Sequence, residues 1–245
     1  MSQTPRGPRD SDRLGRPGTL PPVPGRPTSW PLRPLAATLL LLAVLSVLTW
    51  QVLTDGPLRA ADERLGDTLR GDAPPTWAAE LLADLGNMTV APPLLLAAMA
   101  YAVLRTRRWW PSLCYALALA LVPALVSALK AWTDRPGPLG GTGYFPSGHA
   151  ATAAVALGAA ALLVAGTRTR APDGKGKGNA WLPAAAVLTL ANGLGLVWRG
   201  YHWPLDVLAS WCLSALLLMW AARAAAARPG PPRSGRRRPV ARDRE

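Results

Sequence analysis

The chain has 245 residues, half of them hydrophobic, with 27 Lys plus Arg against 14 Asp plus Glu, a net charge of +13. A soluble nucleic-acid binder can carry that charge, but not together with several apolar runs as long as a bilayer core is thick. The composition therefore argues against nucleic acid as a partner and favours an integral membrane protein. Cys114 and Cys212 both lie inside apolar runs. That excludes a disulfide framework and a paired-cysteine zinc site, and predicts two buried, inert thiols.

Residues 1–34 are rich in Pro, Gly and Arg and have almost no apolar periodicity. Such a segment buries too little surface to offset the entropy of ordering, so a disordered basic tail is predicted. The first apolar segment, residues 35–54, is too long for a signal h-region of about 7 to 15 residues and ends in no clear cleavage site, so it is predicted to remain as a helix. Residues 55–87 are mixed in charge, with helical spacing at Leu58, Leu65, Leu69, Leu81, Leu82 and Leu85. They are predicted to form an extracytoplasmic or interfacial helical segment.

Five further apolar segments follow, at 88–104, 111–129, 149–166, 181–198 and 205–225. Each of the six is about 17 to 21 residues long, the length a helix needs to cross a bilayer at 1.5 Å per residue. The predicted fold is all-α: a six-transmembrane-helix bundle, an integral membrane domain over residues 35–227. Residues 228–245 read as a second disordered tail, whose run Arg236, Arg237 and Arg238 suits anionic lipid headgroups.

Charge sorting orients the bundle. Twenty-one of the 27 basic residues fall in the N-terminal tail, in the links after the second and fourth spans, and at the C-terminal end. Nine of the 14 acids fall on the other side. By the positive-inside rule both termini are cytoplasmic and the remaining links face outward from the cytoplasmic membrane.

Ionisable groups at membrane depth are functional candidates. The chain has two histidines. His149 opens the fourth span within Pro146-Ser147-Gly148-His149, and His202 precedes the sixth within His202-Trp203-Pro204-Leu205-Asp206. Lys130 ends the third span, with Arg135 close behind. All fall at the outward ends of helices. A helix that starts after Ser147 and Gly148 presents free backbone N–H groups and the positive end of its dipole, which suits a phosphate. Lys130 and Arg135 add charge-assisted donors. Asp206, four residues after His202, shares its helical face and can hold one imidazole nitrogen as N–H, leaving the other free as a nucleophile. His149 is then placed to protonate a leaving oxygen. As separate pieces these are an interfacial anchor, a helix cap and an interfacial pair; their joint occurrence on one face favours a site.

These motifs resemble those of the membrane-bound type 2 phosphatidic acid phosphatase superfamily, which shares its active-site pattern with vanadium haloperoxidases. The resemblance extends over about residues 35–225, and its specific motifs occupy 130–138, 146–149 and 196–206. It implies that His202 is the nucleophile that forms a phosphohistidine, that Asp206 orients it, and that His149 is the general acid. It gives Lys130, Ser147 and the Gly148 N–H to the substrate phosphate. Two departures stand out. The family's first motif ends in Arg-Pro where this chain has Gly137-Pro138, with Arg135-Pro136 two residues early. Its third motif has Ser-Arg where this chain has Gly195-Leu196, with Arg199 three residues before His202. Arg135 and Arg199 are the expected substitutes, since one helical turn displaces a side chain by only about 5.4 Å. The implied activity is hydrolysis of a lipid phosphate monoester or pyrophosphate, such as phosphatidic acid, phosphatidylglycerol phosphate or a polyprenyl pyrophosphate. The expected cations are side chains, with no metal or other cofactor. The competing expectation is a degenerate member that binds a lipid phosphate or a membrane partner without hydrolysis.

Overall fold

A computed structural model of the protein describes residues 32–168 and 180–227. Among these residues all regular structure is helical: α1 Leu32–Leu53, α2 Pro57–Gly71, α3 Thr76–Ala83, a 3-10 turn Asp84–Gly86, α4 Ala91–Thr106, α5 Trp110–Thr133, α6 Gly148–Arg168, α7 Trp181–Trp198 and α8 Pro204–Ala227. Residues 1–31 of the expected N-terminal tail, the whole expected C-terminal tail and most of the basic link between α6 and α7 lie outside the described residues. The helix α1 begins at Leu32, with Pro34 in its first turn, where a missing N–H breaks no helical bond.

Five helices, α1, α5, α6, α7 and α8, are long and apolar enough to cross a membrane. The expected second span differs. Its helix α4 has 16 residues, and a sixth crossing exists only if α4 is joined to residues 76–86 across a 49° bend. Pro92 and Pro93 account for the break, because proline rings cannot continue a helix that arrives from upstream but fit the first turn of a new one. Joined in that way, residues 76–86 of the segment expected at the interface would supply part of the crossing.

Helix α6 is the centre of the bundle and packs against α4, α5, α7 and α8. Its alanines at 150, 151, 153, 156 and 159 are fully buried, and such small residues let helix backbones approach closely. At Gly158 an added Cβ would stand 2.6 Å from Leu218 of α8. Ser210 and Ser214 of α8 donate to the carbonyls of Ser147 and Ala151, tying the starts of α8 and α6 together. Helix α1 packs through Leu48 and Val52 against Phe145 and Ala209, while Leu39, Leu40 and Leu42 are exposed. An apolar outer face of this kind is stable against lipid, not water. Cys114 and Cys212 are free and buried, as expected.

The links at one end of the bundle carry the unusual polar residues, and α2 and α3 cover them. Two contacts fix this cover. Asn192 of α7 donates to the carbonyls of Leu82 and Ala83 at 3.0 and 2.8 Å, satisfying orphan acceptors at the end of α3. Asp62 of α2 accepts the N–H of Leu205 in the first turn of α8 at 2.8 Å.

Candidate active site

His202 sits on the turn between α7 and α8. That turn is made by Gly200, whose φ of +68° is disfavoured for residues with a side chain, and by the N–H groups of Tyr201 and His202, which both point to the Leu196 carbonyl. Pro204 starts α8, so Asp206 falls in its first turn beside the imidazole. His202 Nδ1 faces Asp206 Oδ2 at 3.4 Å, and the same oxygen accepts the Trp203 N–H at 3.0 Å. The ring edge of Tyr144 closes the other side of His202, at 5.6 Å between centroids.

His149 is the second residue of α6 and is exposed at its start. It lies within electrostatic reach of His202, Lys130 and Asp84. Lys130, half-buried near the end of α5, lies within electrostatic reach of Asp206. The Ser147 hydroxyl accepts the Ala150 N–H at 3.2 Å, which makes it the N-cap of α6. Gly148 is in ordinary contact only: an added Cβ would stand 3.8 Å from Val126. The fold itself does not require a bare backbone there.

Arg135, expected on the phosphate, is instead fully buried. Its Nη1 donates to Asp206 Oδ1 and its Nη2 to Asp62 Oδ2, each at 2.6 Å, with Glu63 Oε1 at 3.6 Å. Both terminal nitrogens face carboxylates, so Arg135 braces Asp206. Burial alone would lower the affinity of this guanidinium for its proton. The charges and hydrogen bonds of Asp206 and Asp62 outweigh it and push its pKa above the usual arginine value. Burial also pushes the Asp62 carboxyl above its usual range, against the pull of Arg135.

Arg199 is held elsewhere on the rim. Its Nη2 donates to Tyr201 Oη at 3.3 Å and approaches Glu80 at 4.0 Å, and its guanidinium lies 5.2 Å from the Tyr201 ring. Asp62, Asp84 and Tyr144 were not among the residues expected from sequence. Arg70 was not either; its guanidinium stacks 5.0 Å over the Trp203 ring. Among the described residues no group of three or more His, Cys, Asp or Glu side chains is arranged to hold a metal ion.

Residues 139–229, which run from the link before α6 to the end of α8, match the family model of the PAP2 superfamily. Over this stretch the chain is similar to the PAP2 superfamily. The fold is similar to the crystal structure of a transmembrane PAP2-type phosphatidylglycerolphosphate phosphatase from Bacillus subtilis. That likeness has a TM-score of 0.64 at 22% identity and covers 78% of this chain and 94% of that one. No curated protein matches the sequence.

The fold explains both departures from the PAP2 pattern. Gly137 stands where the first motif has its arginine, and an added Cβ there would come within 2.3 Å of the Tyr144 ring. Tyr144, which also touches His202, fills that space. Gly195 and Leu196 stand where the third motif has Ser-Arg. A Cβ at 195 would meet backbone atoms of α3, Ala83 N at 2.6 Å and Ala79 O at 2.7 Å. Leu196 is fully buried in a cluster with Ala83, Ala150 and Val207. Packing of α3 against α7 has replaced the polar pair.

Proposed function

We propose that the protein is a membrane phosphatase that hydrolyses a phosphate monoester or pyrophosphate on a lipid through a phosphohistidine. One observation carries this reading: His202 is backed by a buried, fully hydrogen-bonded Asp206, while the second histidine and Lys130 lie within electrostatic reach at the same end of the bundle. The PAP2 match of residues 139–229 and the fold of a PAP2-type phosphatidylglycerolphosphate phosphatase support it.

In this mechanism Asp206 holds His202 Nδ1 as N–H, so Nε2 carries the lone pair. Nε2 attacks phosphorus and forms a P–N bond as the P–O bond to the lipid breaks. His149 gives its proton to the departing oxygen. A water then attacks phosphorus, His149 takes its proton, and inorganic phosphate leaves as the P–N bond breaks. Lys130, the Gly148 N–H and the start of α6 stabilise the phosphoryl oxygens, which is the main demand of phosphoryl transfer. The room left at Gly148 supports close approach of an anion there. Ser147 holds the helix start that presents these N–H groups. Arg199 supplies a further cation by turning from Tyr201 to the substrate. The charges are provided by side chains, and the site faces outward from the cytoplasmic membrane, with Arg105, Arg107 and Arg108 at the opposite, cytoplasmic end.

A second reading, phosphate binding without turnover, is favoured by one observation: Leu and Gly occupy both motif-arginine positions, and Arg135 is engaged by carboxylates. Phosphate release by the purified protein from phosphatidic acid, phosphatidylglycerol phosphate and a polyprenyl pyrophosphate separates the two. Hydrolysis is expected from the wild type, and loss of it from His202→Ala and His149→Ala. Equal background release by all three proteins would establish the non-catalytic reading.

A further inference from the structure

We propose that Asp62, outside every motif of the site, is a positioning residue that sets His202 through Arg135 and Asp206. The proposal rests on His202 being the nucleophile. The four side chains form one continuous path. Asp62 Oδ2 accepts from Arg135 Nη2 at 2.6 Å, Arg135 Nη1 donates to Asp206 Oδ1 at 2.6 Å, and Asp206 Oδ2 faces His202 Nδ1 at 3.4 Å. Asp62, Arg135 and Asp206 are each buried. In such a low-dielectric interior the pairing is set by the protein donors and acceptors around it, among them the Trp203 and Leu205 N–H groups.

Charge balance gives Asp62 its role. A guanidinium paired with Asp206 alone would neutralise the carboxylate that must support positive charge on the imidazole as Nε2 attacks. Sharing one guanidinium between two carboxylates leaves a net negative charge behind His202 and still satisfies both terminal nitrogens. Glu63 Oε1, 3.6 Å from the same guanidinium, is paired more closely with Arg59 at 2.8 Å and leaves this balance unchanged. Asp62 also acts on geometry. Its Oδ1 accepts the Leu205 N–H at 2.8 Å, and Leu205 adjoins Asp206 in the first turn of α8. One carboxylate thus fixes both the direction of Arg135 and the helix start that aims Asp206.

The test combines turnover with a measurement on His202 itself. Because the chain has only two histidines, selective nitrogen-15 labelling resolves their tautomers, and His149→Ala assigns them. Asp62→Asn should lower kcat by about 10-fold to 100-fold, the range for removing an outer partner of a bound histidine, with KM changed by less than about threefold. The Nδ1–H population of His202 should fall with it. Asp62→Glu, which keeps the charge, should recover most of the turnover and the Nδ1–H signal. A folded Asp62→Asn protein with wild-type kcat and an unaltered His202 spectrum overturns the proposal. If Asp62→Asn does not fold, Arg135→Lys decides. It keeps the charge but cannot fork to both carboxylates, so wild-type turnover and spectrum in that variant overturn the proposal equally. A wild type that releases no phosphate from any lipid overturns the hydrolase reading instead, and the nitrogen spectra alone then decide whether Asp62 acts on His202.

Discussion

Arg135 donates to Asp206 at 2.6 Å with both side chains shut off from solvent. Buried ion pairs add little net stability, because desolvation offsets their attraction, but removing one partner leaves a buried charge unmatched. Arg135→Ala would strand two carboxylates, Asp206 and Asp62. It should destabilise the protein by about 3 to 5 kcal/mol, read as a lowered midpoint of thermal unfolding in detergent. An Arg135→Ala protein with wild-type stability and impaired phosphate affinity would return Arg135 to the substrate.

Arg199 offers the opposite case. Its contacts to Tyr201 and Glu80 lie on a partly exposed rim, where solvent screening leaves pairs of this kind little net effect on stability. Arg199→Ala should therefore leave unfolding nearly unchanged while lowering kcat/KM by about 100-fold, the loss typical when one donor to a developing oxyanion is removed. Steady-state kinetics beside a thermal melt checks both halves. Unaltered turnover would make Arg199 an interfacial anchor only.

Much of this arrangement is legible in the sequence, for a reason specific to membranes. A bilayer forces each crossing to an apolar run of fixed length, so the helix ends, and with them His149, His202 and Lys130, can be placed by counting. The bend before α4 escapes that count, because Pro92 and Pro93 sit inside an apolar run and hydropathy does not register a bend. Asp62 escapes for a different reason. It is one of several acids on α2 and the turn before it, and nothing local separates it from Asp55 or Asp67, which are exposed. Only its partners, Arg135 and Leu205, more than 70 positions away, single it out. Arg135 misleads for the same reason. Its closeness to Lys130 in the chain suggests phosphate, whereas Asp206, far along the sequence, claims it in space.

The packing of α3 against α7 makes a test of the lost motif arginine. Restoring Ser-Arg at 195 and 196 would not recreate the family's site, because Gly195 already touches the α3 backbone and Leu196 has no exposure. Gly195→Ser should destabilise by about 1 to 3 kcal/mol through overpacking. Leu196→Arg should do worse by burying an unpaired charge. Thermal unfolding with phosphate release measured on the same samples checks this. A stable Leu196→Arg protein with raised turnover would show that α3 can yield.

The last expectation concerns pH and follows from Asp62. Burial, opposed in part by Arg135 and the Leu205 N–H, raises its carboxyl above the ordinary value of 3.8. The folded chain therefore holds this proton to a higher pH than the unfolded chain does. Folding takes up a proton in that window, so the contribution of Asp62 to stability is fullest below 3.8 and falls as pH rises through the raised value. Asp62→Asn cannot titrate. The stability of the wild type relative to Asp62→Asn should decline as pH rises above 3.8 and level off once the carboxyl is ionised. Unfolding midpoints of the two proteins across that range check the sign. A difference that instead grows with pH would mean that Arg135 and the Leu205 N–H outweigh burial and hold the carboxyl below its ordinary value.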